Sequence, residues 1–393
     1  MGAMVGTVIS QTLLDLFSIL MVFGIAYDFW KDRDSCLARF KSLKIEWAFL
    51  GYFVVVVLGF LINAAADAEV GRSLSKFTWI PTLYVYIYAF SKVRFNVKGV
   101  LAFLAYGFLL SNIYTVVSYL IHFDFLTGDT IFRARGLVNS ATYHAHTNAM
   151  LFVFFAAILF FYFSKLSRFW KSFALFTLGL FFAGIFFTFV RGIWISIFVS
   201  TFVMFFLINF KFSLKLLLAS ALGFAVLFAV MPGFREQLTR IESNQERANL
   251  LKLNLQIFKE YPLLGIGYGE NLRRNREYWD RPEWNMPVDY ITSHAHNQYV
   301  NVLATTGIFG LLFFLSFFLF FVWKNISMLR QEPDKRSFRY VLIFGCLWVQ
   351  LEMLLACLTD VTFEYAKIRA LYLFAWALLF AIDRYSLSMI DET

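Results

Sequence analysis

The chain has 393 residues, of which 60% are hydrophobic and only 16% charged, with 51 Phe and a formal charge of +9. That composition excludes a soluble globular fold. The apolar runs approach the ~20 residues a helix needs to cross a bilayer, and the short alternating segments of a membrane barrel are absent. A surplus of basic residues would suit nucleic acid in a soluble protein. Here those residues fall in loops, where they orient the chain and meet anionic lipid head groups, and no nucleic-acid module is present.

Apolar runs between charged breaks predict eleven spans, near 6–27, 45–63, 77–91, 100–121, 146–164, 170–190, 192–210, 214–231, 302–323, 340–358 and 368–383. The expected fold is therefore an all-α polytopic membrane protein of about eleven to twelve helices. It divides into a first block over 1–231, a loop over 232–301 and a last block over 302–393, integrated as one membrane domain. The N-terminus lacks the basic region and cleavage site of a signal peptide, so the first run is expected to stay as a helix. Cys36, Cys346 and Cys357 have neither disulfide-framework nor metal-knuckle spacing and read as free thiols.

Alternate loops carry the basic residues: Lys31, Arg33, Arg39, Lys41 and Lys44; Lys92, Arg94 and Lys98; Lys165, Arg168 and Lys171; Lys211 and Lys215; and Lys324, Arg330, Lys335, Arg336 and Arg339. The positive-inside rule puts them in the cytoplasm. The connections near 64–76, 122–145, 191, 232–301 and 359–367 then face the other side, with the N-terminus outside and the C-terminus inside. Only 232–301 is too long for a plain connection, and loops of that length are usually functional. Within it, Leu250, Leu251, Leu253, Ile257 and Phe258 recur at near-helical spacing. Pro262 and the turn-rich Gly265-Ile266-Gly267-Tyr268-Gly269 follow, predicting an amphipathic helix across the outer mouth and then a turn.

Polar groups at membrane depth mark function, because burying them in lipid is costly. Arg191 lies where two spans meet with almost no loop, so it either snorkels to head groups or presents a fixed cation to an anionic lipid-linked group. Arg247 opens the amphipathic loop helix. Four of the five histidines fall in two copies of one tripeptide, His144-Ala145-His146 and His294-Ala295-His296. His296-Asn297 is followed at fixed distance by Gly307-x-x-Gly310 at the start of a span. An imidazole suits proton abstraction from a sugar hydroxyl near neutral pH, and the two glycines let a neighbouring helix or substrate approach the backbone. Arg133 and Arg135, just before the first histidine pair, are candidates to line the same cavity.

Taken together, Arg191 in its short turn, Arg247 ahead of Pro262-Leu263-Leu264-Gly265-Ile266-Gly267-Tyr268-Gly269-Glu270, and the His296-Asn297 to Gly307-x-x-Gly310 element resemble the bacterial O-antigen ligase and polymerase superfamily of inner-membrane glycosyltransferases. The resemblance follows hydropathy and loop order along the whole chain, and at residue level it covers roughly 130–160 and 185–312. It implies metal-independent transfer of a glycan from an undecaprenyl pyrophosphate carrier, on the periplasmic face, to a hydroxyl of lipid A core. His296 would then be the general base and Arg191 and Arg247 the pyrophosphate ligands. Arg133, Arg135, Asn297, Gly307, Gly310, His294 and His146 would be substrate contacts. No cofactor is implied, and the partners are the lipid-linked donor, the lipid A core acceptor and membrane lipids. Ligases of this superfamily generally have twelve spans with both termini cytoplasmic, and carry asparagine and glycine where this chain has Val138-Asn139-Ser140-Ala141-Thr142-Tyr143-His144-Ala145-His146.

Two other superfamily activities and two other classes compete. A polymerase would lengthen the glycan on its carrier, and a protein O-oligosaccharyltransferase usually has an extra domain. A zinc-binding transporter or metalloenzyme would use the histidine pairs, since i and i+2 point the same way in an extended segment. A flippase or carrier for the lipid-linked glycan is favoured by inverted repeats, which are absent.

Overall fold

The structure, a computed structural model, describes residues 11–39, 43–63, 76–92, 97–137, 140–239, 241–279, 281 and 294–384. The connection over 64–75, the loop stretch 282–293, the first ten residues, and Lys41 and Arg94 lie outside these.

Each of the eleven expected spans contains a helix over its described residues. The first half contains α1 (Gln11–Lys31), the short α2 (Arg33–Arg39), α3 (Glu46–Asn63), α4 (Trp79–Lys92) and α5 (Val97–Leu120). A two-residue antiparallel ribbon follows, pairing Phe123 with Thr130. Then come α6 (Ala141–Tyr162), α7 (Arg168–Phe186), α8 (Arg191–Ile208) and α9 (Phe210–Val230). The loop contributes α10 (Pro232–Leu238), α11 (Ile241–Glu260) and α12 (Asn271–Trp279), and the chain closes with α13 (Gln298–Gln331), α14 (Phe338–Ala356) and α15 (Ala366–Arg384). Among the described residues seven helices, α3, α6, α7, α8, α9, α13 and α14, are long and apolar enough to cross a membrane. This is an all-α, multi-pass membrane protein.

Helix ends obey local chemistry. Ser140, Ser167, Asn209, Asn297 and Ser337 each sit in extended backbone and accept the amide three residues on, at the starts of α6, α7, α9, α13 and α14, satisfying donors that a helix start otherwise leaves bare. In lipid the helices gain little from hydrophobic transfer, so packing and buried polar contacts decide their arrangement. Accordingly α14 is the central helix, touching α6, α8, α13 and α15, whereas α9 is almost wholly peripheral. Phe321 of α13 stacks on Trp376 of α15 at 3.6 Å between ring centres. At the basic end of α13, Lys324 pairs with Asp383 at 2.7 Å. The three cysteines are free and buried.

The loop does not hang from the bundle but is joined to it through backbone. α13 breaks at Gly307, whose φ of 66° and ψ of −169° are open to glycine and strained for any other residue. The break releases the Ala304 and Thr305 carbonyls, and the amides of Ile266 and Gly267 take them at 3.0 and 3.1 Å. The freed Ile308 amide donates to the Pro262 carbonyl at 2.8 Å. Non-helical backbone within a membrane protein is tolerated where protein groups satisfy it, and these three bonds do so here. What approaches Gly307 is therefore the chain's own backbone at Leu263 and Leu264, and Gly310 clears the side chain of Thr306. These contacts are with neither a neighbouring span nor a substrate cleft. Gly265, Gly267 and Gly269 all have positive φ, as the turn expectation required.

The apolar stripe of α11 lands as the spacing predicted: Leu250, Leu253 and Ile257 are buried against Ile266, Tyr278, Trp279 and Ala304. The helix starts six residues earlier than the periodic stretch, at Ile241.

Candidate active site

Four chain segments converge at the starts of α8, α11 and α13 and the end of α14. The first is the turn Phe187–Val190 between α7 and α8. It closes through a left-handed Phe189 with φ 54° and a hydrogen bond from the Thr188 hydroxyl to the Ile185 carbonyl, 2.6 Å. That turn leaves Arg191 as the first residue of α8. Its Nη1 donates to the Leu238 carbonyl at 3.2 Å and Nη2 to Asn244 Oδ1 at 3.0 Å, so the guanidinium bridges the turn to the start of the loop. Phe234 of α10 stacks on both Phe186 and Trp194, at 5.5 and 5.4 Å, and holds the loop in place there.

Asn244 and Arg247 are one turn apart on α11, so their side chains are neighbours. Arg247 Nη1 donates to the Thr359 carbonyl at 3.2 Å. Gly192 packs against the Thr359 side chain so closely that a Cβ there would overlap it. Arg247 is thus bonded to the α14–α15 turn, Cys357–Tyr365, and Gly192 brings the start of α8, with Arg191, against it.

The third segment, His294–Gln298, is strapped to the same turn. Asn297 caps α13 through Oδ1 and donates from Nδ2 to the Leu358 carbonyl at 3.0 Å. The Gln298 amide donates to the Cys357 carbonyl at 2.8 Å, and Gln298 Oε1 accepts from the Phe363 amide at 3.1 Å. Asn301 Oδ1 accepts from the Ala295 amide at 3.3 Å and from Asn271 Nδ2 at 2.7 Å. These bonds hold His296 in a left-handed backbone, φ 49°, a conformation a non-glycine residue keeps only when its surroundings impose it.

The result is a carboxylate between two imidazoles. His296 Nδ1 is 3.6 Å from Asp360 Oδ1 and His146 Nε2 is 3.9 Å from Asp360 Oδ2. Both distances are ion-pair contacts just beyond hydrogen-bond range, of the kind that tighten when a substrate closes an active site. Burial works to raise the Asp360 carboxyl, but the neighbouring His296 imidazole, with His146 and His294 close by, outweighs it and holds the group below the usual carboxylate range. His294 lies edge-on to His296, ring centres 4.4 Å apart. Burial, with His296 beside it, pushes the His294 imidazole down to about 4, so it is neutral at pH 7. Asp360 was missed by sequence reasoning. The only signal was an acid in a short outer connection at the end of an apolar segment.

The two histidine pairs behave differently. In α6 the i and i+2 positions diverge by about 200°, and His144 turns away from the site. It is buried, with Thr115 Oγ1 and Asn148 Nδ2 each 3.0 Å from its Nε2, and it fills space beneath Gly136 and Gly184. Arg133 and Arg135 flank the site. Arg133 Nε donates to the Thr188 carbonyl at 2.9 Å, and Arg135 pairs with Asp129 at 3.6 Å. Both line a cleft of about 370 Å³ that includes Thr130, Ser140 and Ala141. The structure therefore brings Arg191, Arg247, His146, His294, His296 and Asn297 together, sets Arg133 and Arg135 beside them, and puts Gly307 and Gly310 in the loop splice.

Residues 176–315 match the family model described as O-antigen ligase. Over that stretch the chain is similar to the O-antigen ligases. The matched stretch runs from α7 past the break in α13, so it contains both arginines and the His294–Asn297 segment. Asp360 and the first histidine pair lie outside it. No curated protein matches the chain.

Proposed function

We propose that this protein is an O-antigen ligase. It would transfer a glycan from an undecaprenyl pyrophosphate donor to a sugar hydroxyl of lipid A core, on the periplasmic face of the inner membrane. The observation that carries this reading is the junction at Thr359 and Asp360, where the Arg247 guanidinium and the His296 imidazole meet on one turn, with Arg191 one bond away through Asn244, the neighbour of Arg247 on α11.

The roles follow from charge. A pyrophosphate is a good leaving group, so the protein has chiefly to hold negative charge and align the acceptor. Arg191 and Arg247 suit the pyrophosphate because a guanidinium stays charged and bonds phosphate oxygens bidentately. The Asp360 carboxylate draws the His296 proton to Nδ1, leaving the Nε2 lone pair for the acceptor, as a buried carboxylate does for the base in a Ser-His-Asp triad. The imidazole is 23% exposed, so an acceptor can reach it. In the step itself, the acceptor oxygen forms a bond to the anomeric carbon while the bond from that carbon to pyrophosphate breaks. The hydroxyl proton passes to His296 and undecaprenyl pyrophosphate departs, with inversion at the anomeric carbon. No metal enters this scheme.

The test is transfer by the purified protein from a polyprenyl pyrophosphate glycan to lipid A core. Product that appears on the core, with its anomeric configuration inverted, supports the ligase. Glycan that lengthens on the carrier and never reaches the core would replace it with a polymerase.

A further inference from the structure

One residue of the site has no chemical explanation in that scheme. His146 is 1% exposed, and neither of its ring nitrogens has a hydrogen-bond partner among the described residues. A buried imidazole with both nitrogens bare forfeits its hydration for nothing in return, and such groups normally have a partner. Its Nε2 faces Asp360 Oδ2. On the other oxygen of the same carboxylate, His294, His296 and Asp360 each offer one ligand atom, and these atoms all lie within 4.8 Å of one another.

We propose that His294, His296 and Asp360, with His146 as the fourth donor, form a site for a zinc-class divalent cation, and that its occupancy blocks glycan transfer. Three imidazoles and one carboxylate suit zinc and its first-row neighbours and do not suit magnesium or calcium, which take oxygen donors. Donor atoms around tetrahedral zinc stand ~2.0–2.2 Å from the ion and thus roughly 3.4 Å apart, so binding draws this group inward by about an ångström. Arg247 is bonded to the Thr359 carbonyl, one residue before Asp360, so a fixed cation stands beside the donors and opposes a dication. The ion is therefore a reversible visitor rather than a resident. When bound to Nδ1, the His296 nitrogen that faces Asp360, it shifts the ring proton to Nε2, which removes the lone pair that takes the acceptor proton, and it neutralises Asp360. The blocking effect rests on the reading of His296 as the base, whereas the binding does not.

Binding is read without activity. The full-length protein in nanodiscs is titrated with Co²⁺, followed by its visible ligand-field absorption, and Zn²⁺ is added to compete. One saturable tetrahedral site displaced by Zn²⁺ is expected. It should be lost in Asp360→Asn and His294→Ala and kept in His122→Ala, which alters an exposed histidine elsewhere, with unfolding temperatures confirming that all are folded. Absence of the absorption in wild type, or its persistence in folded Asp360→Asn, overturns the site. In the transfer assay Zn²⁺ should slow wild type at least tenfold, and a chelator should restore it. A cobalt site without zinc inhibition overturns the blocking role. A protein that never transfers glycan sinks the ligase reading, while the cobalt spectrum still supports the site.

Discussion

The same tripeptide, His-Ala-His, occurs twice in this chain with opposite results. At His144–His146 it lies inside a helix, so its two imidazoles leave on different sides: one into a buried network with Thr115 and Asn148, the other toward Asp360. At His294–His296 it lies in irregular backbone held by Asn297, Gln298 and Asn301, and both rings stay together at the carboxylate. Backbone conformation, rather than residue identity, decides which histidines are available for chemistry.

The sharpest break of this comparison is His296→Ala. Loss of a general base costs about 10²–10⁴-fold in rate, so transfer should fall by that much while the unfolding temperature barely moves. Retained activity would remove His296 from the mechanism. Next comes Arg247→Ala, expected to lower transfer about 10²–10³-fold, the range for deleting one donor to a developing anion. A loss confined to stability would make the arginine a strut for the Thr359 turn. His144→Ala should do the reverse of His296→Ala. Stranding Asn148 and Thr115 costs about 1–3 kcal/mol, visible in thermal unfolding, with turnover of the folded fraction intact. A catalytic defect without destabilisation would collapse the distinction between the two pairs. Asn297→Ala removes a helix cap worth about 1 kcal/mol and frees the His296 backbone. Activity should drop more than stability does, and an equal change in both would show that the cap does not position the histidine. The smallest effect belongs to Glu260→Gln, at the far end of α11. Its carboxylate accepts from Tyr278 and lies 3.4 Å from Arg281, on partly exposed side chains, so a loss below about 1 kcal/mol is expected, with transfer unchanged.

The helices were legible because membrane spans announce themselves as long apolar runs, and the α11 stripe because its spacing is periodic. Arg191 and Arg247 stood out because charge is rare at their positions. Asp360 did not, since two acids in a nine-residue connection, Asp360 and Glu364, carry no pattern, and the meaning of Asp360 comes from α6, α13 and α14 meeting around it. The first histidine pair was misplaced by a boundary. The apolar run begins near 146, but the capping Ser140 starts the helix at Ala141 and takes both histidines with it. Gly307 and Gly310 looked like a surface for another molecule, whereas only the folded chain reveals that the approaching backbone belongs to the loop.

That splice has a consequence for how the protein can vary. Its hydrogen bonds run between main-chain groups of Pro262, Ile266, Gly267, Ala304, Thr305 and Ile308, so they survive most changes of side chain. Gly265 and Gly307, where any Cβ would enter the opposing backbone, and Gly267, with φ 102°, are fixed. The loop above can thus change its side chains while its anchorage stays the same, and these three glycines are where that freedom stops.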